Sequence, residues 1–296
     1  MTKNLKWIIL FLTPATLFFL YVYAIPIIVL FTTSFTEWTI GTAPKFIGIN
    51  NYIDLLTNDS DFIKAGINTG IWILLQSTIH VALGVLCALI LARKKFYWKF
   101  TRTVYMIPNI ISSAALGMMF LMIFNPTFGA VNSLIRIMGI KDFGHNWFLS
   151  DSTAFLAVTI IWLPFAANIT ILVLAEMSSI PPSILEAAYI DGVNAWKKIR
   201  YLTIPMLKPT FILLFLFGLG GILRGSFDLF YNLIGNNSVL YPQTDIIDTY
   251  VFRSLVGQYN FSMGAAAGFY QSVFGLVIVL AVNFVVKKVD PDNALF

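Results

Sequence analysis

The chain has 296 residues, of which 58% are hydrophobic and only 11% charged, with a mean hydropathy of +0.81 and a net charge of +5. A soluble domain carries roughly 25% charged residues, so this composition excludes an ordinary soluble fold. Repeated apolar runs near the ~20 residues needed to cross a bilayer predict an all-α polytopic membrane protein. The basic residues cluster beside those runs, which fits membrane orientation and not nucleic-acid binding. Cys87, the sole cysteine, can form no intrachain disulfide.

Lys3 and Lys6 precede the first apolar run, Trp7 to Phe31, which is too long for a signal peptide. We read it as a first spanning helix that tolerates Pro14 and Pro26. Further spans are expected at about Ile67–Ala92, Val104–Phe124, Ala154–Ala175, Thr210–Phe230 and Met263–Val286. Six spans put both termini on one side. With them lie thirteen of the 19 basic residues: Lys3, Lys6, Arg93, Lys94, Lys95, Lys99, Arg102, Lys197, Lys198, Arg200, Lys208, Lys287 and Lys288. The positive-inside rule makes that side cytoplasmic. The glycine pairs Gly221/Gly225 and Gly264/Gly268 are read as internal packing, with a subunit interface as the alternative.

Between the fourth and fifth spans lies a polar island, Met177 to Pro209. Pro181, Pro182, Ser183 and Glu186 read as a helix start, with capping-box spacing between Ser183 and Glu186. Ile184, Ala187, Ala188 and Asp191 would share one side of that helix. Gly192 is a natural left-handed stop, a second helix begins near Ala195, and Pro205 and Pro209 end it. The island is either this helix–bend–helix, with a small-residue docking surface, or a solvated basic loop.

From Glu186-Ala187-Ala188 through Gly192 to Leu202-Thr203-Ile204-Pro205, the island resembles the EAA loop of bacterial ABC-importer permeases. The resemblance extends over nearly the whole chain and narrows to the maltose-type carbohydrate permeases. It is carried by Ser34-Phe35-Thr36-Glu37-Trp38, Phe46 to Tyr52, Arg102 to Pro108, Asn125-Pro126 and Gly129 to Asn132. The stretch Asp245 to Val251, with Leu295-Phe296, is similar to the oligosaccharide subset.

The resemblance implies the six-helix type I ABC-importer permease (MetI-like) fold. A first helix and extracellular segment (1–66) would precede a five-helix core (67–286), with the coupling loop at 177–209 and a cytoplasmic tail at 287–296. It also implies a second homologous permease, two cytoplasmic ATPase subunits holding ATP and magnesium, and an extracellular or periplasmic sugar-binding protein, all at a bacterial cell membrane. Glu186, Ala187, Ala188, Asp191, Gly192 and Pro205 would then form the ATPase-coupling set.

Within the spans, ionisable groups need a partner or a wet cavity. Arg224 and Asp228, four apart, can pair with each other or serve a sugar. Asn109, Trp162, Asn168, Tyr270 and Gln271 supply the amides and aromatic faces that sugars need, or they serve packing. His80 is read as an interhelical hydrogen bond. No His-Glu-x-x-His and no phosphate-binding Gly-Lys-Ser/Thr occurs, so no catalytic residue, metal site or bound cofactor is expected in this chain.

Overall fold

Runs of Leu, Ile, Val and Phe become helices here because a backbone in hydrocarbon finds no water and must bond within its own segment. The computed structural model describes residues 5–93, 96–221, 226–235 and 240–291. Helix α1 (Lys6–Ser34) is followed by a small antiparallel pair, β1 (Thr36–Glu37) and β2 (Lys45–Phe46), then α2 (Asn50–Thr57) and α3 (Ser60–Leu91). Next come α4 (Trp98–Asn109), α5 (Ser113–Ile123), α6 (Ala130–Ile137), α7 (Ala154–Trp162) and α8 (Ala167–Ser179). The island contributes α9 (Pro182–Ile190) and α10 (Ala195–Met206). After α11 (Lys208–Leu219) follow α12 (Phe227–Ile234), α13 (Tyr241–Thr244), α14 (Ile247–Phe252) and α15 (Phe261–Val289).

Among the described residues, four stretches are long and apolar enough to cross a membrane: α1, α3, the α7–α8 run and α15. Two bent pairs, α4 with α5 at 100° and α10 with α11 at 63°, raise the number to six if each pair is one span. The first helix continues through Pro14 and Pro26 as expected, with a π turn at Leu20–Ala24 before the second proline. The third predicted span is not one straight helix. Pro108 lacks an N–H, and Ser112 caps a new helix by accepting from Ala115 N at 3.3 Å, so the chain turns between Asn109 and Ser113. The fifth predicted span ends early, at Leu219, and Phe227–Ile234 forms a separate helix. Arg224 and Gly225 lie outside the described residues, as do Leu295 and Phe296.

The chain divides into two compact units, Met1–Ile63 with Ile247–Val273, and Lys64–Ile246 with Phe274–Phe296. The first is tied by polar side chains. Asn51 donates to the carbonyls of Ser34 (2.8 Å) and Thr36 (2.7 Å), and the Tyr52 hydroxyl donates to Ser34 Oγ at 2.6 Å. Tyr250 donates to Asp59 at 2.5 Å, and Phe62 sets its ring edge-on to both Tyr250 and Tyr270. A Cβ on Gly264 would stand 2.7 Å from Leu255, so this glycine serves internal packing.

The second unit packs Trp72, Ile73, Val158, Ile161, Leu216 and Phe230 into one apolar core. Its helices approach closely at glycines. Thr170 on α8 donates to the Gly84 carbonyl on α3 at 3.0 Å, and a Cβ on Gly84 would lie 2.6 Å from Ile169. Asn132, fully buried, holds the loop after α5 through the carbonyls of Pro126 (3.1 Å) and His145 (2.8 Å), while accepting from Trp147 at 2.7 Å. Lys208 at the start of α11 pairs with Asp290 beyond α15 at 2.6 Å.

Two measurements test these contacts. A Cβ on Gly218 would meet the Ser77 backbone Cα at 2.6 Å, so Gly218→Ala is expected to cost about 1–3 kcal/mol, read as a lowered thermal midpoint. Burial first, and the Asp59 carboxylate second, push the Tyr250 hydroxyl well above the ordinary value of 10.0. The protonated hydroxyl is the form the fold holds. Its contribution is full below pH 10 and is lost as pH climbs towards the raised value. Tyr250→Phe should therefore cost about 1.5–3 kcal/mol at neutral pH and flatten the decline of stability above pH 10.

Candidate functional site: a broken span and the polar island

Pro164 interrupts an apolar run that hydropathy reads as continuous. The chain leaves helix at Leu163 and re-enters it at Ala167. Such a break leaves carbonyls without amide partners, and in hydrocarbon each unmet group costs several kcal/mol. Three side chains meet them. His80 Nδ1 on α3 lies 2.9 Å from the Leu163 carbonyl, which only accepts, so Nδ1 carries the proton. The Tyr105 hydroxyl on α4 donates to the Pro164 carbonyl at 2.8 Å and accepts from Ala166 N–H at 3.1 Å, bridging the gap. Asn109 donates to the Phe165 carbonyl at 3.4 Å. His80 thus makes the interhelical bond expected of it. Tyr105 and Phe165 were not singled out by sequence, although a proline within an apolar run was the signal for them.

The break brings together part of the expected polar set. Asn109 touches it, Trp162 precedes it with its ring 6.4 Å from Phe165 in a T-shaped arrangement, and exposed Asn168 follows it. Tyr270 and Gln271 belong to the other unit, where buried Gln271 donates to Asp248 at 2.9 Å. Asp228 is exposed in the first turn of α12, and its expected partner Arg224 lies outside the described residues.

In the island, α9 starts two residues earlier than capping-box spacing suggested. Pro182 takes the first helical position, with its φ preset, so Ser183 and Glu186 fall inside the helix and no side chain caps it. The stop is as expected. Gly192 has φ +66°, its N–H donates to Tyr189 O and the Val193 N–H reaches back to Ala188 O, both at 3.1 Å, which is the paired bonding of a Schellman turn. Asn194 then caps α10 by accepting from Lys197 N at 2.8 Å. Pro205 does not end this helix. A π turn at Ile199–Thr203 absorbs the missing donor, and the helix runs to Met206 before bending at Leu207 ahead of Pro209.

The two helices enclose a groove of about 520 Å³ lined by Ile184, Ala187, Ala188, Asp191, Lys197 and Tyr201, among others. Glu186 is exposed outside it. The same two helices carry large exposed side chains: Tyr189 (85% exposed), Ile190 (83%), Tyr201 (71%) and Trp196 (67%).

Removing the bridging hydroxyl by Tyr105→Phe strands one carbonyl and one amide at the break. The expected loss is about 1–3 kcal/mol in thermal or denaturant unfolding. An unchanged midpoint would show that the break is held by other contacts.

Comparison with known proteins adds the lineage. Residues 80–291 match the family described as "Binding-protein-dependent transport system inner membrane component". The "Probable starch degradation products transport system permease protein AmyD" of Thermoanaerobacterium thermosulfurigenes is 30% identical over 211 residues, covering 71% of this chain and 70% of that protein. The "Galactooligosaccharides transport system permease protein GanP" of Bacillus subtilis is 27% identical over 287 residues, 90% of this chain and 67% of that one. A chain of the bacterial alginate ABC transporter, crystallised in complex with an alginate pentasaccharide-bound periplasmic protein, superposes with a TM-score of 0.85 at 24% identity, over 97% of this chain and 98% of that chain. The fold is therefore that of an ABC-importer permease. The chain belongs to the family of binding-protein-dependent transport system inner membrane components, as a membrane transport permease subunit.

Proposed function

We propose that this permease carries a sugar, in particular an oligosaccharide, into the cytoplasm by alternating access, driven by ATP hydrolysis on two partner ATPase subunits. In this reading each bent helix pair is one span, giving six, with both termini and the island in the cytoplasm. Residues 1–66 hold the first span and an extracellular segment, and 67–286 form the translocating core. A second homologous permease completes the pore, and a binding protein outside the membrane delivers the sugar. ATP and magnesium sit on the ATPases, and this chain binds no cofactor.

The observation that carries the reading is the shape of the island. A proline-started helix, a left-handed stop at Gly192 and a second helix hold a groove lined by Ala187 and Ala188, and the same two helices carry four large exposed side chains. Apolar groups massed on a short projecting element mark a protein interface. Glu186, Ala187, Ala188, Asp191, Gly192 and Pro205 are assigned to ATPase coupling on this basis.

Support for a sugar comes from the relatives, whose names cite starch degradation products and galactooligosaccharides, and from the alginate transporter. It also comes from the broken span, since transporters place substrates at interrupted helices. Trp162 offers an aromatic face there and Asn168 an exposed amide, while Asn109 keeps its amide oxygen as an acceptor beside its bond to Phe165. Asp228, Arg224, Tyr270 and Gln271 are the other candidates for sugar contact.

The test is co-purification with the ATPase and sugar-stimulated hydrolysis by the assembled complex. Glu186→Ala is expected to lower stimulated hydrolysis at least tenfold, as would the loss of one charged hydrogen bond at an interface. Gly192→Val forces a β-branched residue into positive φ and is expected to weaken ATPase association further. If both variants bind the ATPase and transport like the parent, the coupling assignment is wrong.

A further inference from the structure

A second cavity, of about 540 Å³, lies where the ends of α3, α4 and α8 meet α9 and α10. Its wall has two characters. Met177, Ile180 and Leu185 make it largely apolar, while Arg102 and Lys198 bring two cations and Trp98 an indole. No carboxylate lines it. Both cations are half-buried, and among the described residues neither side chain has a carboxylate within 4.0 Å or a hydrogen bond. Charge withdrawn from water is ordinarily paired, so this arrangement is complete only with an anion present.

The apolar share of the wall argues against a bare ion as that anion. The cavity sits at the end of two long apolar helices, where an indole commonly marks the headgroup level. Basic pockets between helices on the cytoplasmic side take anionic headgroups. We propose that this cavity binds an anionic phospholipid, its phosphate between Arg102 and Lys198 and an acyl chain along Met177, Ile180 and Leu185. The inference rests on the cytoplasmic placement of the island given above. Since α3, α4 and α8 supply one side and α9 and α10 the other, the lipid fastens the island to the bundle, and membrane charge thereby enters the coupling step.

The experiment uses the assembled complex in nanodiscs of phosphatidylcholine with and without phosphatidylglycerol. Lipids retained after mild extraction are counted by native mass spectrometry. Two cations at about 1 kcal/mol each predict roughly a 30-fold preference for phosphatidylglycerol, falling to near equality in the Arg102→Gln, Lys198→Gln double variant. Equal retention of the two lipids by the parent, or a preference untouched by the double variant, overturns the proposal. Displacement of the lipid by millimolar inorganic phosphate also overturns it, in favour of a free-phosphate site.

Should the double variant fail to assemble, brominated lipids on the parent complex decide. Brominated phosphatidylglycerol should quench the fluorescence lost on Trp98→Phe more strongly than brominated phosphatidylcholine does, and equal quenching overturns the site. ATPase binding and sugar-stimulated hydrolysis are read on the same nanodiscs. Normal coupling without lipid preference sinks only the lipid site, and lipid preference without ATPase binding sinks only the coupling reading. Loss of ATPase binding in the double variant with lipid counts unchanged assigns the two cations to the ATPase and overturns the proposal.

Discussion

Inside a bilayer every backbone carbonyl must be met by protein, and the arrangement of the second unit follows from one place where its own helix fails to do so. Pro164 opens the run from Ala154 to Ser179, exposing the carbonyls of Leu163, Pro164 and Phe165. His80 from α3 and Tyr105 and Asn109 from α4 supply the missing donors. Three donors from two other helices fix depth and rotation together, because each helix has to present its polar group at the level of the break. The close contact of α3 with α8 through Gly84, Ile169 and Thr170 brings His80 within reach.

The first unit solves a different problem with different means. Asn51 holds the carbonyls of Ser34 and Thr36, Tyr52 bonds the Ser34 hydroxyl, and Tyr250 bonds Asp59, which together close a short irregular stretch of chain. The island solves a third problem, reversing direction in a few residues while keeping a groove open. Backbone geometry does most of it there: a proline start, a glycine in the left-handed region and an asparagine cap. Side chains are thereby left free to face outward, which is what a docking element requires.

Much of this was legible in the residues. Hydropathy marked the four stretches long enough to cross a membrane, and the left-handed stop at Gly192 and the helix beginning at Ala195 follow from ordinary capping chemistry. Two of the failures share a cause. Pro108 and Pro164 break helices within apolar runs, and a hydropathy window averages across a break whose flanks remain apolar. Pro205 fails in the opposite direction, because a π turn upstream absorbs its missing donor and the helix passes through. At Ser183 the spacing was right and the frame wrong, since Pro182 begins the helix first. The polar residues within the spans were the least legible, because helix periodicity alone does not say which break an amide will serve. Asn109 is spent on Phe165, a contact visible only once the bend between α4 and α5 is known.

The gap at Pro164 also has a consequence for how this lineage can change. Restoring a continuous helix there by Pro164→Ala would return the three carbonyls to the amides of Ala167, Asn168 and Ile169. His80, Tyr105 and Asn109 would then lose the carbonyls that they now serve at the break. Mending the flaw in one helix therefore removes three ties to its neighbours, so the break and the residues that serve it stand or fall together.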